Sequence, residues 1–437
     1  MIKKHSISIK LALIYLYAFI LIYLPDFSYY IKVNGLIIYS ILTVFFLTFK
    51  MHLKEKKFID TFNKKPIAIF IILNIFFTVY YVIRTLIAGT EINDLKNLRI
   101  IQNLTPILLL VGVLIVNDEL DKLNYTKEKK YKFIIGLGII QSLSAISMIF
   151  IPALRNVAYN IFYKGSTEIN RYISESRIYG ICDGNYTYSL QVLTSFIALF
   201  SFCFAYFYKE KKYYFYSFVI LVTTLLNGRT GLLIFIIGIA YLLIREMIYS
   251  KKFFSNLKII FLIAIAIAVI CSFVIIFLPN TVRLMNHAVN DIYSFVTEDD
   301  YNTETGYLVD MIKVPDSFTD KIFGAGYRIY GRAGIDYGCT LASDIGFIND
   351  IFMAGIFSVA LLYNSFLFLI FNIKNVNYNS KFEKVTSIII LIAMILSNVK
   401  GEFFRSQMQI STVLIILIFM LMEEKKNEKI ISNNTSV

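Results

Sequence analysis

Tryptophan is absent from the 437 residues, histidine occurs three times, cysteine four times and proline six times. Each scarcity removes a class of explanation. Three His (His5, His52, His287) and four Cys in no ligand spacing give no zinc-type site. Cys203 and Cys271 fall inside apolar runs, while Cys182 and Cys339 fall in polar segments where they either pair or stay reduced. No Gly/Ser-rich tract marks a linker, and no tandem repeat is visible. Charged residues are only 17% of the chain, and the polar stretches between apolar runs leave no room for a soluble nucleotide-binding domain.

Apolar sequence fills the space instead. Hydrophobic residues are 57% and mean hydropathy is +0.65. Runs approaching the ~20 residues a helix needs to cross a bilayer occur at 8–24, 33–49, 66–88, 100–116, 133–152, 188–208, 213–226, 230–244, 258–278, 345–372, 385–399 and 406–422. These predict an all-α polytopic membrane protein with about 12 transmembrane helices. The stretch Met1–Ala18 is basic and then apolar but lacks a small-residue cleavage site, so it reads as part of the first span.

Lys and Arg are sorted between the connecting segments. With Met1–Lys10 placed inside and the segments alternating, 26 of 32 Lys lie inside and 10 of 11 Arg outside. Positive charge marks cytoplasmic loops, so both termini are expected in the cytoplasm, and the net charge of +13 reflects membrane orientation rather than nucleic-acid binding. The runs 213–226 and 230–244 read as one long helix or as a hairpin. Lys209, Lys211 and Lys212 before them and Lys251, Lys252 and Lys258 after them all belong inside, which requires the hairpin, with Asn227-Gly-Arg-Thr230 at its tip. Arms of about 21 Å fall short of an ~30 Å core, which places the tip below the outer surface, in a cavity. Three regions follow: a bundle, 1–278, carrying outward loop 153–187 and tip 227–230; a large outward loop, 279–344; and 345–437, with the last spans and a short cytoplasmic tail.

Arg on the outward face is not needed for orientation, but its planar fork suits phosphate bidentately. Arg84, Arg229, Arg283, Arg328, Arg332 and Arg405 are therefore candidate anion ligands. Interfacial snorkelling is the alternative for each, and it accounts for Arg99 and Arg155. Asp344 stands where loop meets membrane, as a helix cap, a general base, or both. Asp350, further along, reads as structural, and His287 as a surface histidine or a base. Glu298-Asp-Asp300 with Glu304 is a solvated acidic run or a cation site. Tyr307, Tyr327, Tyr330 and Tyr337 are placed to stack on sugar rings. Gly324-Ala-Gly326 follows no βαβ unit, so it is not a dinucleotide fingerprint.

Leu225-Leu-Asn-Gly-Arg-Thr-Gly-Leu-Leu233 resembles the hairpin between two central spans of the O-antigen ligase and Wzy-type polysaccharide polymerase superfamily. Ile322-Phe-Gly-Ala-Gly-Tyr327 is similar to a turn late in that family's large outward loop. Ser343-Asp-Ile-Gly-Phe-Ile348 followed by Phe352-Met-Ala-Gly355 is similar to the start of its next span. The resemblance implies a metal-independent glycosyltransferase, without cofactor, in a bacterial plasma membrane. It would take an undecaprenyl-diphosphate-linked oligosaccharide on the outer face and polymerise repeat units into a surface or capsular polysaccharide. Arg229 would hold the diphosphate, with Asp344 standing where ligases of the family carry His. Tyr307 stands where relatives have Arg, leaving Arg283 or Arg328 to substitute. Membrane lipids and a chain-length regulator protein are the expected partners. An O-antigen-ligase-like transferase and a lipid-linked oligosaccharide flippase are the alternatives.

Overall fold

Apolar runs fold as helices in an apolar surround because a helix satisfies its backbone N–H and C=O groups within one segment. The computed structural model describes residues 2–25, 27, 35–88, 100–163, 178–182, 187–228, 230–250, 265, 268, 272, 311–329, 343–376 and 379–422, and no strand occurs among them. The helices are α1 (Ile2–Tyr23), α2 (Gly35–His52), α3 (Lys56–Phe62), α4 (Lys65–Ile87), α5 (Ile100–Lys122), α6 (Lys127–Phe150), α7 (Pro152–Ala158), α8 (Thr187–Tyr208), α9 (Lys212–Asn227), α10 (Thr230–Ser250), α11 (Phe318–Phe323), α12 (Gly346–Asn375), α13 (Lys381–Lys400) and α14 (Gln407–Leu421). A 3-10 turn, Phe403–Arg405, precedes α14.

Helices occupy eleven of the twelve expected spans, and 258–278 lies outside the described residues apart from 265, 268 and 272. Seven of them, α4, α5, α6, α8, α10, α12 and α13, are long and apolar enough to cross a membrane. The chain is an all-α membrane protein by that measure. The hairpin break also occurs, with α9 ending at Asn227 and α10 starting at Thr230. Its arms are longer than expected, at 16 and 21 residues, or about 24 and 32 Å. The shortfall that placed the tip in a cavity therefore disappears for α10.

The core is built around α8, which is buried almost throughout and packs against α6, α9, α10, α13 and α14. Every residue of α14 is buried too, so a helix of only 15 residues meets protein rather than lipid on all sides. On α4 the apolar residues divide by face. Phe70, Phe77 and Tyr81 are buried, while Ile72, Ile75, Phe76, Val79, Ile83 and Leu86 are exposed, as expected of a helix with one side on its neighbours and one on lipid.

Within the run expected as one span, α12 breaks at Gly355, whose φ of 67° and ψ of 175° are not helical. The break frees backbone groups that an apolar environment leaves costly. The turn at Gly324–Gly326 satisfies one of them, since Ala325 N and Gly326 N both donate to Phe352 O, at 2.7 and 3.1 Å. Gly324 has φ +84°, and a Cβ there would lie 2.6 Å from Ala354 Cα. Its lack of a side chain lets the turn seat on the break.

Helix ends that the Lys/Arg sorting assigns to a common face meet one another. On the Lys side, Lys10 pairs with Glu119, Lys50 with Asp118 and Glu119, Lys127 with Glu383, Lys132 with Glu210 and Lys381 with Glu246. Lys50 is 3% exposed, and a cation so buried needs its partners. Lys132 also holds the Glu210 carboxyl below its ordinary range by hydrogen bond and charge. At the same end a capping box, Ser380 with Glu383, starts α13.

Candidate functional site

At the opposite end, the first turn of α8 serves as a junction. Tyr188 OH donates to Ser397 O at 2.7 Å, Ser406 Oγ donates to Ser189 Oγ at 2.6 Å, and Gly231 N donates to Gln191 Oε1 at 3.3 Å. Gly228 and Gly231 both press so closely on Gln191 that a Cβ at either would overlap it. Two glycines thus clamp the hairpin tip onto α8. Arg229 sits between them, itself outside the described residues; its backbone neighbours on both sides are fixed.

Segment 401–406 is held from three directions. Gly401 packs on the Tyr188 ring and on Gly346, leaving no space for a Cβ. Phe403 N donates to Asn398 Oδ1 at 3.0 Å. Ser406 N bonds back to Glu402 O and Phe403 O. Arg405 is the last residue of the 3-10 turn; its side chain lies outside the described residues, while its neighbour Ser406 touches α8.

Glu402 receives the Arg328 fork. Nε donates to Oε1 at 2.7 Å and Nη2 donates to Oε2, with side-chain exposures of 16% for Arg328 and 7% for Glu402. Arg328 is positioned by its neighbour: Ile329 N donates to Asn349 Oδ1 at 3.1 Å and Ser343 N to Ile329 O at 2.9 Å. Asp344, partly buried, follows Ser343 directly. Asn349 also donates to Ser343 O and Ile345 O. The N-cap of α12 is Ile345, with no side-chain cap. Asp344 thus lies one residue before the N-cap position; Ser343 Oγ accepts from Ile345 N at 3.2 Å, and Asn349, from within the helix, bonds the incoming segment.

Arg84 is engaged elsewhere. Its Nη2 meets Asp320 Oδ1 at 2.5 Å and its Nε donates to Gly324 O, tying α4 to α11. Asp350 is 1% exposed and accepts from Tyr363 OH at 2.5 Å and Asn398 Nδ2 at 3.2 Å, which links α12 through α13 to the Phe403 turn. Cys182 is buried, its thiol donating to Tyr179 O at 3.4 Å. Arg283, Arg332, His287, Asp336, Glu298–Asp300, Glu304, Tyr307, Tyr330, Tyr337 and Cys339 lie outside the described residues. Among the described residues, no group of three or more His, Cys, Asp or Glu side chains is arranged to hold a metal ion.

The structure thus brings the segments carrying Arg229, Arg328, Arg405 and Asp344 to one end of the bundle through contacts of Gln191, Ser189, Glu402 and Ser343. Comparison with family models, curated proteins and solved structures finds no match. The chemistry must be argued from the residues themselves. Guanidinium forks bind a diphosphate and offset charge that develops as it leaves, and a carboxylate accepts a proton from a hydroxyl. Sequence reasoning missed Glu402, Asp320, Asn349 and Gln191. Glu402 had one visible signal: it is the acid in the short outward segment that also carries Arg405.

Proposed function

We propose that the chain is a membrane glycosyltransferase that polymerises undecaprenyl-diphosphate-linked oligosaccharide repeat units into a surface or capsular polysaccharide at the outer face of a bacterial plasma membrane. The observation that supports this reading is that the segments bearing Arg229 and Arg405 meet the start of α8, and Glu402 and Ile329 link the segments bearing Arg328 and Asp344 to them, at the end opposite the paired lysines.

In the proposed reaction Asp344 takes the proton of an acceptor sugar hydroxyl, whose oxygen forms a bond to the donor's anomeric carbon. The bond from that carbon to the diphosphate breaks, and undecaprenyl diphosphate leaves with the electron pair. Arg229, with Arg405 and Arg328, stabilises the charge gathering on the leaving group. A flippase would need cations along a central path, whereas the paired Lys and Arg side chains here sit at helix ends.

The test is purified protein reconstituted with lipid-linked repeat units, followed by gel separation of the products. A ladder of increasing length is expected. A single addition onto a different acceptor would indicate a ligase. Movement of donor across the bilayer with no new glycosidic bond would overturn the enzyme reading.

A further inference from the structure

The segment expected as the large outward loop carries an exposed apolar cluster in its described part, 311–329. Between Met311 and Phe323 it exposes Ile312 (59%), Val314 (50%), Phe318 (76%) and Phe323 (48%). In water such a cluster would be costly, and its depth places it elsewhere. Tyr80 OH of α4 donates to Phe323 O at 2.8 Å. Tyr80 lies eight residues before Ala88, where α4 ends, so it sits about 12 Å below that end. Helical side chains lean toward the helix N-terminus, which brings Phe323 at least that deep. At 23 residues, or about 34 Å, α4 exceeds an ~30 Å hydrocarbon core by only a few ångströms.

Over Phe323–Gly326 the backbone is sealed as that depth requires. Three carbonyls are covered by α4 side chains: Phe323 O by Tyr80, Gly324 O by Arg84 and Gly326 O by Thr85. The donors are covered as well, Gly324 N by Asp320 O and Ala325 N and Gly326 N by Phe352 O. The Arg84–Asp320 pair neutralises one charge of α11, while Lys321 is partly buried and Lys313 and Asp316 are exposed before the helix begins. The loop then climbs back, with Gly326 beside Thr85 and Ala88 and Ile329 bonded to Ser343.

We propose that α11, residues 318–323, forms a re-entrant element that inserts into the leaflet at the Ala88 end of α4 and meets the acyl chains of the surrounding bilayer with Phe318 and Phe323, while the segment before it, with exposed Lys313 and Asp316, stays at the membrane surface. On α4 itself Phe76, Val79 and Ile83 are exposed as well. The inference rests on the membrane character of the chain alone and is independent of the proposed enzymatic activity.

The absence of Trp makes the test free of background. Phe318→Trp and Phe323→Trp, each the sole indole of full-length protein in liposomes, would be read for quenching by lipids brominated on the acyl chains and by aqueous iodide. Phe76→Trp on the exposed face of α4 serves as the lipid-facing reference. Both variants are expected to emit in the blue, to be quenched by brominated lipid to an extent comparable with Phe76→Trp, and to be protected from iodide. Red-shifted emission quenched by iodide and indifferent to brominated lipid, with the reference behaving normally, would overturn the proposal. Because both side chains are exposed, neither substitution should disturb packing, and a monodisperse elution profile checks this.

Discussion

Arg328 poses two questions that a single substitution would confuse. Its fork is held bidentately by Glu402, little exposed, so losing either partner leaves a buried charge uncompensated, typically at about 3–5 kcal/mol. Loss of activity in Arg328→Met alone would therefore not reveal a diphosphate ligand. Removing both charges resolves this, because neutral replacement of a buried pair is often tolerated. Glu402→Gln is expected to lower thermal stability, and Arg328→Met with Glu402→Gln to recover most of it while still yielding no ladder. A normal ladder from the stable double variant would make Arg328 purely structural. Arg229 has a simpler test, since Arg229→Lys keeps charge and loses the fork. Polymer should fall sharply at unchanged protein level, and wild-type chain length would return Arg229 to interfacial snorkelling. Asp344 lies one residue before the N-cap position of α12, and one substitution separates its two readings, because Asn caps about as well as Asp but cannot act as a base. Asp344→Asn is expected to cost on the order of 10²–10⁴-fold in rate, with lipid-linked single repeats accumulating. Normal polymerisation by well-expressed Asp344→Asn would dismiss it as the base and turn attention to His287 and then Asp336.

At the scale of elements, helix positions were legible because a run of apolar residues near the length of a span admits few other structures. The broken helix was not legible. Gly355 inside an apolar run looks like any tolerated glycine, and only the approach of Ile322 and Gly324, some thirty residues earlier, shows why it departs from helical φ. The same reason hides the Arg328–Glu402 and Arg84–Asp320 pairs, whose members are 74 and 236 residues apart. What the sequence did show at the site was the doubled glycine around Arg229, although its packing partner, Gln191, lies about forty residues earlier and was not legible. The broken helix and its turn make a specific demand at Gly324. Ala there would meet a left-handed φ, roughly 1–2 kcal/mol, and a backbone contact 2.6 Å away that cannot turn aside. Gly324→Ala should lower the unfolding temperature measurably, whereas Ala158→Gly in the short helix α7 should not do so to the same degree. Equal melting of Gly324→Ala and wild type would mean that the turn does not seat on α12 as described.

Among the described residues the ion pairs named here gather at two ends of the bundle, and one Arg pair, Arg245–Glu246, shares its carboxylate with Lys381 at the Lys end. Lys-based pairs join α1, α2, α5, α6, α13 and the 209–211 turn at one, and Arg-based pairs join α4, α11, the 328–329 segment and the 401–406 segment at the other. Charge sorting in the sequence and charge pairing in the fold are independent of each other, since nothing about counting lysines requires that their carboxylate partners come from the same end. On the orientation proposed here the Lys end would meet the anionic cytoplasmic leaflet, and the end carrying the segments of Arg229, Arg328 and Asp344 would face out. Single cysteines in a background with Cys182, Cys203, Cys271 and Cys339 replaced would test that direction with a membrane-impermeant thiol reagent on intact cells. Replacements of Lys56 and Lys129, both exposed at the Lys end, are expected to label only after the membrane is opened, and replacements of Arg177 and Asp300 to label from outside. The reverse pattern would place the guanidinium cluster in the cytoplasm. Asp344 and Arg229 could not then meet a donor presented at the outer face, and the assignment of both to polymer synthesis would fall together.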